Sequence, residues 1–163
     1  MPSDDLGLPV NVPAPVRRVV SLVPSLTESV AASCPDILVG ATRWCTHPAD
    51  LDVARIGGTK NPDLARIVEL APDLVLANEE ENREADLAAL RGAGLAVWVT
   101  VVRSLSEAFA SLTRMLAVAC QSATPAWRPL GRGTSGRRTA PDSRSPTDRP
   151  FPGWRGSLSW RKR

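Results

Sequence analysis

The segment from Thr42 to Pro48 combines a cation, a large aromatic ring, a thiol and an imidazole. Trp44 could stack on a planar ligand, Arg43 could pair with a carboxylate, and His47 could be an axial ligand to a metal centre. The alternative is that Trp44 and Cys45 pack in the interior and His47 is a turn residue. A Cys–His thiol enzyme is a weaker hypothesis, because no Asn or Asp orienter and no oxyanion loop can be identified.

Two further segments place polar groups at predicted helix starts. Pro24 and Ser25 offer a hydroxyl and free backbone N–H groups, which suit an anionic or amide oxygen, although helix capping explains the same residues. Thr59 and Lys60 follow a pair of glycines in a flexible loop. The spacing of the Walker phosphate-binding motif is absent there, which disfavours a nucleotide site.

The run 78–83 is the fourth candidate segment. Asn78 and Glu80 could form a polar rim around a ligand, or the charges could belong to a solvated helix entrance. Ligands of parallel α/β sheets bind beyond the carboxyl ends of the strands, so the turns there are the first positions to inspect. The predicted ligand contacts are Pro24, Ser25, Arg43, Trp44, His47, Thr59, Lys60, Asn78 and Glu80.

Alternating strands and helices must position these residues. Apolar runs at 18–23, 37–41, 74–77 and 95–100 predict four strands. Strands that alternate with helices predict the α/β class, as a single three-layer α/β/α lobe whose parallel sheet has flanking helices.

Helix signals separate the predicted strands. Ser25–Glu28 and Ser104–Glu107 have the spacing of capping boxes. Asn61–Pro62 predicts the start of another helix, and Gly92 or Gly94 the end of a third. The apolar stripe predicted for the last helix consists of Leu105, Ala108, Phe109, Leu112, Leu116 and Ala119.

The chain has two chemically different parts that meet near Cys120. Residues 1–120 carry 10 Lys and Arg against 15 Asp and Glu, whereas residues 121–163 carry 10 against 2. The second part lacks Val, Ile and Met, so we expect a basic, disordered tail. We divide the chain into an N-terminal extension (1–17), an α/β lobe (18–120) and this tail. A shifted reading frame in GC-rich coding DNA would also produce such a composition.

Several classes of protein are disfavoured. A length of 163 residues allows one domain with an appendage, not a large multidomain enzyme. No apolar run approaches the roughly 20 residues that span a bilayer. The first 15 residues lack the features of a secretory signal, so the sequence as written predicts a cytoplasmic location. Cys34, Cys45 and Cys120 form neither an even disulfide framework nor a zinc pattern, and no structural metal is expected.

Four segments, in order, resemble the periplasmic-binding-protein family with a helical backbone, which includes cobalamin-, siderophore- and haem-binding components of ABC importers. They are residues 18–28, 38–40, 57–59 and 61–76. The resemblance covers the first of two lobes, and cobalamin-binding proteins look most similar. It implies a non-enzymatic receptor that holds a corrinoid, a haem or a ferric siderophore and releases it to a membrane permease.

The resemblance also implies a periplasmic or cell-surface location and a permease-docking glutamate before the Pro-Asp-Leu-Val motif. Ala65 occupies that position here, and Glu69 lies one helical turn further on. A start codon placed too late would hide a signal sequence. The rival hypotheses are nucleic-acid binding, in which the tail's ten basic residues and three tryptophans contact phosphates and bases, and a truncated product without function.

Overall fold

A five-stranded sheet forms the centre of the structure, a computed structural model that describes residues 1–121. The strands are β1 (Val19–Ser21), β2 (Leu38–Ala41), β3 (Ala54–Arg55), β4 (Leu74–Asn78) and β5 (Val97–Thr100). Their order is β3-β2-β1-β4-β5, and all neighbouring pairs are parallel. The predicted α/β class with a parallel sheet is therefore confirmed. The predicted tail lies outside the described residues from position 122 onward.

β1 lies in the middle of the sheet and is buried along its whole length. Val20 pairs with Gly40 of β2 on one side and with Val75 of β4 on the other. Gly40 is needed for close packing, because a Cβ atom there would lie 2.8 Å from Cδ1 of Leu70. The prediction of four strands was wrong by one: β3 has only two residues, too few to show an alternating pattern.

Four helices flank the sheet: α1 (Pro24–Ser33), α2 (Leu64–Glu69), α3 (Glu84–Gly92) and α4 (Leu105–Ala119), with a 3-10 turn at Pro35–Ile37. α1 packs against α4, and α2 against α3. Right-handed crossovers place these pairs on opposite faces of the sheet, which gives the three expected layers. Within residues 1–121, no helix is both long and apolar enough to cross a membrane.

The capping box predicted at Ser25–Glu28 is wrong. Val23 is the N-cap of α1, no side chain caps the helix, and Pro24 is its first residue. Proline suits this position because the first N–H of a helix has no partner inside the helix. Ser25 is therefore a residue of the first turn, and its hydroxyl is not needed to cap the helix.

The start predicted for α2 is also wrong. The helix begins at Leu64, after Asp63, whose carboxylate accepts a hydrogen bond from the N–H of Arg66 at 3.0 Å. Asn61 and Asp63 are both good capping residues. Asp63 is the cap, because its carboxylate reaches the N–H of the third helical residue. Asn61 belongs to the preceding loop.

The cap predicted at Ser104 before α4 is confirmed, although the return bond of the Glu107 carboxylate goes to Arg103 instead of Ser104. The hydroxyl of Ser104 accepts a hydrogen bond from the N–H of Glu107 at 3.2 Å, and the Glu107 carboxylate accepts one from the N–H of Arg103 at 2.9 Å. The stripe predicted along this helix is wrong at its first turns, because Leu105 is 73% exposed and Phe109 47%. The buried part of the helix begins at Ser111.

Residues 1–17 contact the lobe at several points, including the outer edge of the sheet at β5. Val10 and Val16 belong to the hydrophobic core. The backbone N–H of Asp5 donates to the carbonyl of Val99 at 3.1 Å, and its carboxylate accepts from the N–H of Val101 at 3.0 Å. This segment therefore supplies hydrogen bonds that the exposed edge of β5 would otherwise lack.

A disulfide joins Cys34, just after α1, to Cys120, just after α4, with a Cα–Cα distance of 5.8 Å. The prediction that the cysteines form no disulfide framework is thus corrected. An odd number of cysteines can hide one pair, since 86 residues separate the partners and only the packing of α1 on α4 brings them together. Cys45 is free and buried.

Candidate functional site

A cavity of about 690 Å³ opens at the carboxyl ends of the strands, where the segments after β1, β2, β3 and β4 meet. Its size lies in the range of small-molecule sites. The lining residues are Val23, Pro24, Ser25, Arg43, Trp44, Gly58, Thr59, Lys60, Asn61 and Glu81. Six of the nine predicted contacts are among them: Pro24, Ser25, Arg43, Trp44, Thr59 and Lys60.

The turn after β2 presents an aromatic ring and a cation to this cavity. Trp44 is 60% exposed, an unusual position for so large an apolar ring. The guanidinium carbon of Arg43 lies 5.4 Å from the centroid of the Trp44 ring, which is a cation–π contact. Of the two hypotheses for this turn, packing in the interior holds for Cys45 but not for Trp44.

Cys45 is buried beneath the cavity. Its sulfur accepts a hydrogen bond from the hydroxyl of Thr27 at 3.0 Å and lies 3.2 Å from the hydroxyl of Thr42. Thr27 also bonds to the hydroxyl of Ser21 at 2.8 Å. This buried network joins β1, α1 and the turn after β2. Cys45 is 1% exposed and does not line the cavity, so its thiol is not accessible from there.

The loop after β4 is tied to the loop after β3. The amide of Asn82 donates to the carbonyl of Thr59 at 2.9 Å, and its oxygen accepts from the N–H of Asn78 at 2.9 Å. The ammonium of Lys60 donates to the carbonyl of Glu80. These bonds fix the wall of the cavity that carries Thr59 and Lys60.

Asn78 serves the loop rather than the 690 Å³ cavity. Its amide donates to the carbonyl of Thr100 at 3.1 Å, and its oxygen accepts from the N–H of Glu80 at 3.0 Å. Asn78 and Glu80 line a neighbouring cavity of about 390 Å³, which shares Val23, Ser25 and Glu81 with the larger one. Eight of the nine predicted contacts thus line one or the other of two adjoining cavities.

His47 is exposed and lines neither cavity. In the part of the chain that the structure describes, no group of three or more His, Cys, Asp or Glu side chains could hold a metal ion. A role for His47 as an axial ligand to a metal in a bound chelate stays a prediction.

Sequence reasoning did not select four residues that line the larger cavity: Val23, Gly58, Asn61 and Glu81. The sequence pattern indicates a helix cap for Asn61, and Glu81 is one of three adjacent glutamates with no signal to separate them. Gly58 lies within a segment that was recognised, but it has no side chain to bind with. Val23 was assigned to a strand.

Comparison with known proteins gives a consistent result for this part of the chain. The vitamin B12-binding protein of Vibrio cholerae is 31% identical over 97 residues, which are 58% of this chain and 35% of that protein. An uncharacterized ABC transporter substrate-binding lipoprotein of Bacillus subtilis is 34% identical over 107 residues, 63% of this chain and 34% of that protein. No family model matches the chain.

Solved structures agree. The periplasmic vitamin B12-binding protein of Vibrio cholerae has a TM-score of 0.58 at 29% identity, covering 68% of this chain and 43% of that one. A periplasmic haem-binding protein of Pseudomonas aeruginosa has a TM-score of 0.58 at 27% identity, covering 65% of this chain and 40% of that one. The predicted resemblance is confirmed: the chain is similar in sequence and fold to periplasmic substrate-binding proteins.

The chain spans about a third of the length of the curated relatives it matches. Partial coverage of this kind fits a single lobe of those proteins. The relatives are named as binding proteins, not as enzymes, which favours the non-enzymatic prediction.

Proposed function

We propose that this chain is the first, ligand-binding lobe of an ABC-importer substrate-binding protein, and that its ligand is a corrinoid, a haem or a ferric siderophore. The observation that carries the proposal is the exposed Trp44 ring, with Arg43 against it, in a cavity at the carboxyl ends of parallel strands. An exposed indole offers a face for a planar ring, and Arg43 and Lys60 offer cations to acidic groups.

The relatives support this choice of ligand. The proteins from Vibrio cholerae and Pseudomonas aeruginosa are named for vitamin B12 and haem, respectively. These comparisons favour solute binding over nucleic-acid binding, whose predicted residues lie beyond the described part of the chain. A truncated product without function stays an untested alternative.

The direct test is to titrate the full chain with cyanocobalamin, haemin and a ferric siderophore, following ligand absorbance and tryptophan fluorescence. We expect saturable binding of at least one probe at one molecule per chain. Arg43→Gln should weaken haemin, which carries carboxylates, more than cyanocobalamin, which carries amides. Arg66→Gln, on the exposed face of α2, is the matched control and should change neither titration.

Absence of saturable binding for all three probes would contradict the proposal. Equal losses in Arg43→Gln and Arg66→Gln would show that the effect comes from net charge and not from the cavity.

The proposed axial role of His47 has its own readout. If this imidazole binds the metal of a haem or corrinoid, His47→Ala should remove the absorbance change of the bound ligand while fluorescence quenching remains. An unchanged absorbance spectrum in this variant would remove His47 from the site.

The proposed partner is an ABC permease, and α2 is the candidate docking surface. Ala65 and Glu69 are both exposed on this helix, and the Glu69 carboxylate pairs with Arg66 at 2.9 Å. Since Ala65 has no charge, Glu69 is the group left to meet a permease cation. Ala65→Glu should raise, and Glu69→Ala lower, the amount of detergent-solubilised permease that co-purifies with the chain; no change in either would reject α2 as the docking surface.

The disulfide bears on location. Disulfides persist in oxidising compartments and are rare in the cytoplasm, so the Cys34–Cys120 bond favours the periplasm or cell surface over the cytoplasmic location expected from the sequence as written. Denatured, unreduced protein from the host should take up one alkylating adduct, at Cys45, when analysed by intact mass. Three adducts would indicate a reducing compartment.

A further inference from the structure

The turn at residues 42–46, which carries Arg43 and Trp44, is held from behind by Arg55 of β3. The guanidinium of Arg55 donates to the carbonyl of Cys45 at 2.8 Å and to that of Thr42 at 3.2 Å. Its other terminal nitrogen donates to the carbonyl of Leu51 at 3.2 Å. One planar group therefore binds both ends of the turn and the segment that leaves it.

The turn also has its own hydrogen bond, from the N–H of Cys45 to the carbonyl of Thr42 at 3.1 Å, and contacts at other points. The N–H of Arg43 donates to the carbonyl of Gly57 at 2.9 Å, which fixes the side facing the loop after β3. The buried thiol of Cys45 lies against the hydroxyls of Thr27 and Thr42. These contacts keep Cys45 inward, whereas Arg55 joins the carbonyls of Thr42 and Cys45, the residues on either side of the Arg43–Trp44 pair.

We propose that Arg55 is a positioning residue for ligand binding: it holds the turn so that Trp44 and Arg43 face the cavity before a ligand arrives. This inference rests on the proposed function. Arg55 does not line the cavity itself, so it acts through the turn. Holding a recognition group in its bound orientation lowers the entropy lost on binding, and therefore raises affinity.

The type of side chain matters here. Arginine presents several donors in a rigid fork and can bind three carbonyls at once, whereas lysine is a compact point charge on a flexible stem. Arg55→Met keeps the length of the apolar stem and removes every donor. Arg55→Lys keeps the charge and loses the fork, so it should give an intermediate result.

The test uses the full chain labelled with 5-fluorotryptophan and followed by ¹⁹F NMR. The five tryptophans give five resonances, and the Trp44 resonance is the one lost in Trp44→Phe. In the ligand-free protein, Arg55→Met should move and sharpen the Trp44 resonance while that of the buried Trp98 stays in place. Arg66→Met is the matched control, because Arg66 is an exposed arginine whose side chain pairs with Glu69.

The second readout is the dissociation constant for haemin and cyanocobalamin. We expect it to rise at least tenfold in Arg55→Met and less in Arg55→Lys, with an unchanged unfolding midpoint in Arg55→Lys. An unmoved Trp44 resonance in both variants would overturn the proposal, and so would an unchanged dissociation constant for a probe that binds the wild type. If the wild type binds neither probe, the proposed function fails, yet the ligand-free resonance still decides whether Arg55 orders the turn.

Discussion

The turn after β2 and the loop after β4 contrast two ways of using polar residues beside one cavity. In the turn, Arg43 and Trp44 extend into the cavity, and other residues hold the backbone. In the loop, the side-chain amides of Asn78 and Asn82 form hydrogen bonds with backbone groups of the loop and its neighbours. Polar and aromatic residues that look alike in the sequence therefore face the cavity in one place and build its wall in the other.

A side chain is available for a ligand when the groups that hold its backbone come from elsewhere, as the Arg55 guanidinium does for the turn. A side chain whose donors and acceptors are filled by its own loop contributes to stability instead. Substitutions in the turn should therefore change ligand affinity, and substitutions in the loop should change the free energy of unfolding.

The largest effect is expected for substitutions of Asn82, such as Asn82→Ala. Asn82 is 5% exposed, and its loss leaves the carbonyl of Thr59 and the N–H of Asn78 without their partner. The free energy of unfolding should fall by about 2–4 kcal/mol, measured by urea denaturation followed by circular dichroism.

Asn82→Asp is the matched variant for this site. It keeps an acceptor for the N–H of Asn78 but places a buried carboxylate oxygen against the carbonyl oxygen of Thr59, so its loss of stability should be at least as large as that of Asn82→Ala. Wild-type stability in Asn82→Ala would break the comparison between the two regions.

Trp44→Ala should show the opposite pattern. Because the ring is 60% exposed, the free energy of unfolding should stay within about 0.5 kcal/mol of the wild type. The dissociation constant for the probe that binds should rise at least tenfold, which corresponds to about 1.4 kcal/mol. A loss of stability with unchanged affinity would assign Trp44 to the wall and reverse the contrast.

The serines at the starts of α1 and α4 differ in the same way, one serving stability and the other facing the cavities. Ser104 caps its helix, so Ser104→Ala should cost about 1 kcal/mol of unfolding free energy. Ser25 lines both cavities and caps nothing, so Ser25→Ala should leave stability unchanged. Equal thermal midpoints for the two variants would contradict this assignment.

The last prediction concerns acid and is confined to a narrow range of pH. Burial would raise the pKa of Asp5, but the neighbouring Ser111 hydroxyl, the hydrogen bond from the N–H of Val101 and the Arg114 guanidinium at 2.7 Å lower the pKa below its ordinary value of 3.8. Asp5 therefore stabilises the fold above pH 3.8, and this contribution is lost as the pH falls through the lowered pKa. The stability difference between wild type and Asp5→Asn should be full at pH 6 and shrink at lower pH; a constant difference would exclude the carboxylate's charge as its source.

Much of the fold could be predicted because local signals agreed with the final contacts. The strands of the core are continuous apolar runs, and the Ser104 cap follows a local rule. The sequence does not predict the start of α1, because Pro24 and Ser25 are both typical of helix starts. It does not predict the Cys34–Cys120 bond, because only tertiary packing brings these cysteines together. Among the site residues, the residue types of Trp44 and Arg43 predict their place in the cavity. The hydrogen bonds of Asn78 cannot be predicted in this way, because they depend on the folded positions of Glu80 and Thr100.

The Cys34–Cys120 bond also sets the covalent topology of the lobe. It closes residues 34–120 into a ring that contains β2, β3, β4 and β5, and of the described strands only β1 lies outside it. Yet β1 is the strand between β2 and β4, so the ring by itself holds two half-sheets with no ladder between them. The linear arm that precedes the ring completes the sheet, and a single backbone cut inside the ring would leave one covalent molecule until the disulfide is reduced.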